Sequence, residues 1–115
     1  MPKDTDESKK AFRELVRILE RAIKAGADCL ELETEGQDVV AYQYSGSSGI
    51  GAEAIPSDIR DAVLKEISHR ANLRHKPTGS ILLTLAGEEY ELFVKEDDRF
   101  GGLTLRMNRT RKRSK

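Results

Sequence analysis

Apolar residues recur every three or four positions at Phe12, Leu15, Val16, Leu19, Ala22 and Ile23. That spacing marks one face of a helix, expected over about residues 8–25. Asp6 or Ser8 can cap its start, and Gly26 supplies a left-handed stop. Lys9, Arg13, Arg17, Arg21 and Lys24 fall largely off the stripe and form a solvated outer face. The period then changes to two. Leu30 and Leu32 alternate with Glu31 and Glu33, and a turn at Glu35 and Gly36 follows. Val40, Tyr42 and Tyr44 share one face of a second strand, opposite Val39, Ala41 and Gln43, which is the pattern of a hairpin. Residues 45–49 read as a flexible loop and residues 50–55 as a short third strand.

A second helix opens at Pro56, Ser57 and Asp58, because proline suits a first turn and either polar residue can cap. Ile59, Val63, Ile67 and Ala71 form its buried stripe, with Leu64 beside it; the helix is expected to end near Leu73, and residues 76–79 (KPTG) break it. Two more strands follow, one carrying Ile81, Leu83 and Leu85, the next Tyr90, Leu92 and Val94 against Glu91, Phe93 and Lys95. After a polar turn over residues 96–102, a last strand turns Leu103, Leu105 and Met107 inward and Thr104 and Arg106 outward. The expected fold is α+β: a two-layer sandwich with an antiparallel sheet of five to six strands and two main helices on one face. The order is α-β-β-(β)-α-β-β-β, and the uncovered sheet face should be mostly wet.

The chain has 115 residues, enough for one domain with a single core. The expected organisation is a flexible N-terminus over 1–7, the domain over 8–107 and a basic flexible tail over 108–115. No segment reaches the roughly 18 apolar residues that span a bilayer, so no membrane insertion is expected. One cysteine, Cys29, rules out an internal disulfide. With no apolar leader in the first ten residues, a reducing cytoplasm is the expected home. The net charge of zero hides an asymmetry. Six basic residues and no acid lie between Arg106 and Lys115; 14 basic and 20 acidic residues remain, a net of −6.

Few residues group into chemistry. Gly46, Gly49 and Gly51 make a glycine-rich loop that could present amides to an anion. No Gly-Lys-Ser/Thr follows, so it is not a P-loop, and a plain hairpin loop is the competing reading. Arg70, Arg74 and Lys76, with His75, cluster at the end of the second helix. They complement the helix dipole or, with the glycine loop, form an anion site. His69 and His75 sit among basic residues, which disfavours a metal, so neither metal nor cofactor is expected. No catalytic dyad is visible, and Cys29 reads as a small structural thiol. The tail residues Arg109, Arg111, Lys112, Arg113 and Lys115 form a solubilising end, a partner-docking arm or a nucleic-acid contact. With Arg106 that makes six charges, which all engaged on duplex DNA would give a salt slope of roughly −5.

Between about residues 18 and 107 the chain resembles the N-terminal domain that precedes the motor in type II secretion and type IV pilus ATPases. The resembling stretches are residues 18–27 (ILERAIKAGA), 30–33 (LELE), 55–56 (IP), 70–73 (RANL), 76–79 (KPTG) and 102–106 (GLTLR). The resemblance implies a PAS-like α/β sandwich. It also marks departures. The family's Gly-Ala is followed by Ser-Asp-Ile-His, where Asp28, Cys29, Leu30 and Glu31 stand here. Its second strand reads Val-Arg-Tyr-Arg-Ile-Asp-Gly against residues 40–46 (VAYQYSG), so Ala41 and Gln43 replace two arginines and Ser45 an aspartate. Glu66, Ile67 and Ser68 replace Arg-Ile-Lys. In the family those polar positions face the motor and its nucleotide. An arginine fork is not replaced by alanine and glutamine without loss of phosphate recognition, and no Walker motif accompanies the domain. The expected function is a freestanding, non-catalytic protein-interaction domain, linked to a secretion or pilus-type machine, whose partner is another protein or a second copy of itself. The alternatives are a regulatory anion- or nucleotide-binding module and a nucleic-acid contact through the tail.

Overall fold

A computed structural model describes residues 6–97 and 102–110. The first helix, α1 (Asp6–Lys24), has no internal glycine or proline, with Asp6 and Glu7 in its first turn and Arg21 and Lys24 in its last. This arrangement of charge suits the helix dipole. Ala11, Leu15, Ile18, Leu19 and Ala22 are buried, while Phe12, Val16 and Ile23 are only partly so. The buried stripe is therefore rotated from the expected one and takes in Ala11 and Ile18. Gly26 ends the helix at φ +94°, with Gly26 N–H donating to Ile23 C=O and Ala27 N–H to Ala22 C=O. That pair of bonds is a Schellman stop.

Strands β1 (Cys29–Glu35), β2 (Asp38–Ser45) and β3 (Ser48–Ile55) form an antiparallel meander. Glu35 pairs with Asp38 and Ser45 with Ser48, so both turns are two residues long. The third strand is longer than expected, because Gly46 at φ +62° reverses the chain at once and leaves no flexible loop. Helix α2 (Arg60–Arg70) starts later than expected. Residues 56–59 form a turn closed by Ile59 N–H on Pro56 C=O, and Ile59 holds the N-cap position without a side-chain cap. The helix also stops earlier. Asn72 takes the left-handed position at φ +57°; Asn72 N–H donates to His69 C=O and Leu73 N–H to Ser68 C=O. Asparagine here does the work of glycine in a second Schellman stop.

A second meander follows, β4 (Thr78–Leu85), β5 (Glu88–Asp97) and β6 (Gly102–Arg109). Ala86 and Gly87, both at positive φ, join β4 to β5 in a two-residue turn, the conformation whose twist matches a hairpin. The sheet order is β3-β2-β1-β6-β5-β4. The last strand thus lies in the centre, pairing antiparallel with β1 from Cys29↔Arg106 to Leu32↔Leu103. The described elements are two helices and a six-stranded antiparallel sheet, the α+β order expected.

One sheet face carries the core. Leu30, Leu32, Val39, Ala41, Ile55, Ile81, Leu83, Leu85, Leu92, Val94, Leu103, Leu105 and Met107 join the buried sides of both helices in one cluster. Gly79 lets α2 approach β4 closely, since a Cβ there would lie 2.0 Å from Ala71 O. Glu53 is the one β3 carboxylate on the covered side; Arg17 and Arg21 of α1 donate to its Oε2 at 2.8 and 3.1 Å. The domain edges extend past those expected, with α1 beginning at Asp6 and β6 running to Arg109. Among the described residues no helix is long and apolar enough to cross a membrane.

Candidate functional site

The uncovered sheet face follows from strand parity. Residues opposite the leucines point outward: Glu31 and Glu33 on β1, Tyr42 and Tyr44 on β2, Thr104 and Arg106 on β6, Phe93 and Lys95 on β5, Ser80 and Leu82 on β4. The register aligns them in rows. One runs Tyr44–Cys29–Arg106–Phe93–Ser80 across β2, β1, β6, β5 and β4. The next runs Tyr42–Glu31–Thr104–Lys95–Thr78. Neighbours in a row lie about 4.5–5.5 Å apart at Cβ.

Charge divides this face. The β1–β2 half is acidic, with Glu31, Glu33 and Glu35; the Tyr42 hydroxyl donates to Glu35 and is pushed up to about 12, chiefly by that bond. The β4–β6 half is hollowed and carries Lys95 and Arg106, with Glu91 two residues from Phe93 on the same side of β5. A cavity of about 460 Å³ opens there, walled by Phe93, Lys95, Arg106, Thr78 and Ser80, with Lys76 at its rim. Phe93 is 42% exposed. Among the described residues no carboxylate lines the cavity. The ion pairs found among the described residues involve Arg17, Arg21, Arg60, Arg70 and Arg109, and none of these three cations.

The glycines and the basic cluster expected to share an anion are kept apart. Gly46, Gly49 and Gly51 lie on or beside β3, at one edge of the sheet. The end of α2 packs over β4, at the other edge, a sheet width of about 24 Å away. The Gly46 amide, moreover, already donates to the Asp28 carboxylate at 3.3 Å, a group that repels anions. Gly51 leaves room for Gln43, whose Oε1 would lie 2.7 Å from a Cβ there. Arg70 is also engaged: its Nε donates to Glu66 at 2.7 Å and its guanidinium lies 3.9 Å over the Phe12 ring. Arg74 and His75 are exposed. Lys76 alone of that group joins the cavity.

Ala41 and Gln43 point under the helices and are buried, so neither is placed to meet a ligand on the open face. Cys29 lies in the outward row but is buried; burial pushes its thiol up, against the pull of Arg106. His69 and His75 are both exposed, and no group of metal-ligating side chains occurs among the described residues. Arg109 ends β6 and donates to Glu88 at 2.7 Å; Arg111, Lys112, Arg113 and Lys115 lie outside the described residues. A larger groove of about 880 Å³ runs along α1 past Pro56 and Ile59, with acids and bases intermixed.

The two sheet edges differ. Edge strands present unpaired backbone groups and are usually guarded by charge, proline, bulges or inward charges. Strand β3 has two such guards, the register break beside Tyr44 and the inward Glu53. Strand β4 (TGSILLTL) has no charge, no proline and unbroken register, and its Leu82 is 64% exposed. The residues of the cavity and of this edge escaped sequence reasoning as a group, although the lack of charge from 77 to 87 was visible. Compared with protein-family models and with curated proteins, the chain matches none.

Proposed function

We propose that the protein is a non-catalytic interaction domain that pairs through the β4 edge, a second copy of the chain being the partner. The unguarded β4 edge supports this reading. Its sequence suits antiparallel pairing with itself about Leu82. Leu82 would then oppose Leu82 of the second copy, Ile81 would oppose Leu83, and Ser80 would oppose Thr84. Isologous contacts require such self-complementarity, and strand addition supplies backbone hydrogen bonds without new chemistry. The resemblance to pre-motor domains makes a secretion or pilus-type machine in the cytoplasm the proposed setting.

Sedimentation equilibrium of the whole chain tests the pairing. The wild type should dimerise, and Leu82→Lys should sediment as a folded monomer. Two half-exposed leucines going under cover contribute about 1–2 kcal/mol each, so the variant should weaken association by roughly 30- to 1,000-fold. A wild type that stays monomeric at about 100 µM overturns the reading.

A further inference from the structure

We propose that the hollow over β4–β6 binds a small planar anion, a nucleoside phosphate by class, with its base on Phe93 and its phosphate among Arg106, Lys95 and Lys76. This goes beyond strand pairing and rests on different atoms: the outward side chains of three strands, not the backbone edge of one.

Each part of such a ligand meets a matching group. Phe93 offers an exposed ring between Ser80 and Arg106 in its row, and aromatic faces accept any base by stacking. Lys95 stands two residues further along the same strand face, about 7 Å away, close to the span from a base to its phosphate. Arg106 and Lys76 complete a positive rim, and among the described residues no carboxylate lines it. Thr78, Ser80 and Thr104 also line the cavity and supply hydroxyls that a sugar could bond. A cavity near 460 Å³ lies within the usual range for small ligands, about 300–1,000 Å³. The acidic half of the face sets the limit. Glu31 and Glu33 on the adjoining strand oppose a phosphate chain crossing the sheet, so a single nucleotide fits where a polynucleotide does not.

Amide NMR spectra of the full chain, titrated separately with AMP, adenosine, inorganic phosphate and an oligothymidylate, test this. AMP should give saturable shifts confined to residues 76–80, 93–95 and 104–106. Adenosine and phosphate should each bind at least about tenfold more weakly. Phe93→Ala and Arg106→Gln should each weaken AMP by about tenfold or more while the rest of the spectrum stays native. Leu82→Lys should bind AMP normally, which separates this site from the pairing edge. Absence of shifts at about 5 mM AMP overturns the proposal, as does unchanged AMP binding by a folded Phe93→Ala. Oligothymidylate binding at least about 100-fold tighter than AMP would also overturn it and assign the face to single-stranded nucleic acid.

Discussion

Replacing Gly79 with alanine puts a methyl group where the backbone of α2 already lies. The new Cβ would stand 2.0 Å from Ala71 O, 3.0 Å from its carbonyl carbon and 3.2 Å from its Cβ. Ordinary contact begins near 3.4 Å, so the carbonyl must retreat by about 1.4 Å, more than side-chain adjustment can absorb. It is not free to do so. Ala71 N–H is bonded to Ile67 C=O, and the two following amides close the Schellman stop. Relief must come from lifting the end of α2 or pushing β4 from β5. Overpacking of this kind costs about 3 kcal/mol, a large share of the 5–15 kcal/mol typical of a domain. The melting temperature should fall by roughly 10–15 °C. Gly51→Ala is the matched control. Its Cβ also meets an atom too closely, at 2.7 Å, but that atom is the end of the Gln43 side chain, which can rotate. The control should cost less than about 1 kcal/mol. Scanning calorimetry of both variants reads the difference. Gly79→Ala melting within about 3 °C of the wild type would refute the packing argument.

Other expectations rest on separate features. Burial pushes the Glu53 carboxyl up, but hydrogen bonds and charge from Arg17 and Arg21 outweigh it and hold it below its ordinary 4.5. A depressed folded value stabilises above the unfolded value and is lost as pH falls through the folded one. Glu53→Gln should therefore cost about 1 kcal/mol near pH 7 and progressively less as pH falls below 4.5, by urea melts; a cost that does not change with pH would contradict this assignment. Asn72→Val should destabilise by about 1–2 kcal/mol, because a β-branched residue resists the left-handed position. Asn72→Gly should stay within about 0.5 kcal/mol of the wild type by the same melts, and matching losses for both would sink the Schellman reading. Cys29 should react with an aromatic disulfide reagent far more slowly in the native protein than in denaturant, since burial raises its thiol; equal rates would show an open site.

Most elements were legible because each announces itself locally. Period-two alternation placed Leu30, Leu32, Leu92, Val94, Leu103 and Leu105 on the correct face, and Gly26 marked its helix end. The misses are equally local in cause. Asn72 stops α2 where Lys76 to Gly79 looked decisive, because asparagine tolerates the left-handed region without glycine's obvious signal. Ile18 and Ala11 were left off the α1 stripe because the whole stripe was set one step round. The candidate site was much less legible. Phe93 and Arg106 become neighbours only once β5 pairs with β6, and Glu31 bounds them only because β6 inserts beside β1. Periodicity says which way a side chain points, but not which strand stands next to it. The glycine loop and the arginines near Arg70 looked like one site only because distance in the chain carries no sheet order.

The placement of β6 has a consequence for how the chain is made. Its pairing joins Cys29 to Arg106, so the seam at the middle of the sheet closes only once β6 has emerged during synthesis. Until then α1 and the first meander wait with β1 as an open edge, its leucines uncovered on one side. Contacts of such long sequence separation slow folding and leave partly made chains prone to association. Nascent chains stalled just before Gly102 should therefore depend on chaperones, whereas release of eight further residues completes the sheet.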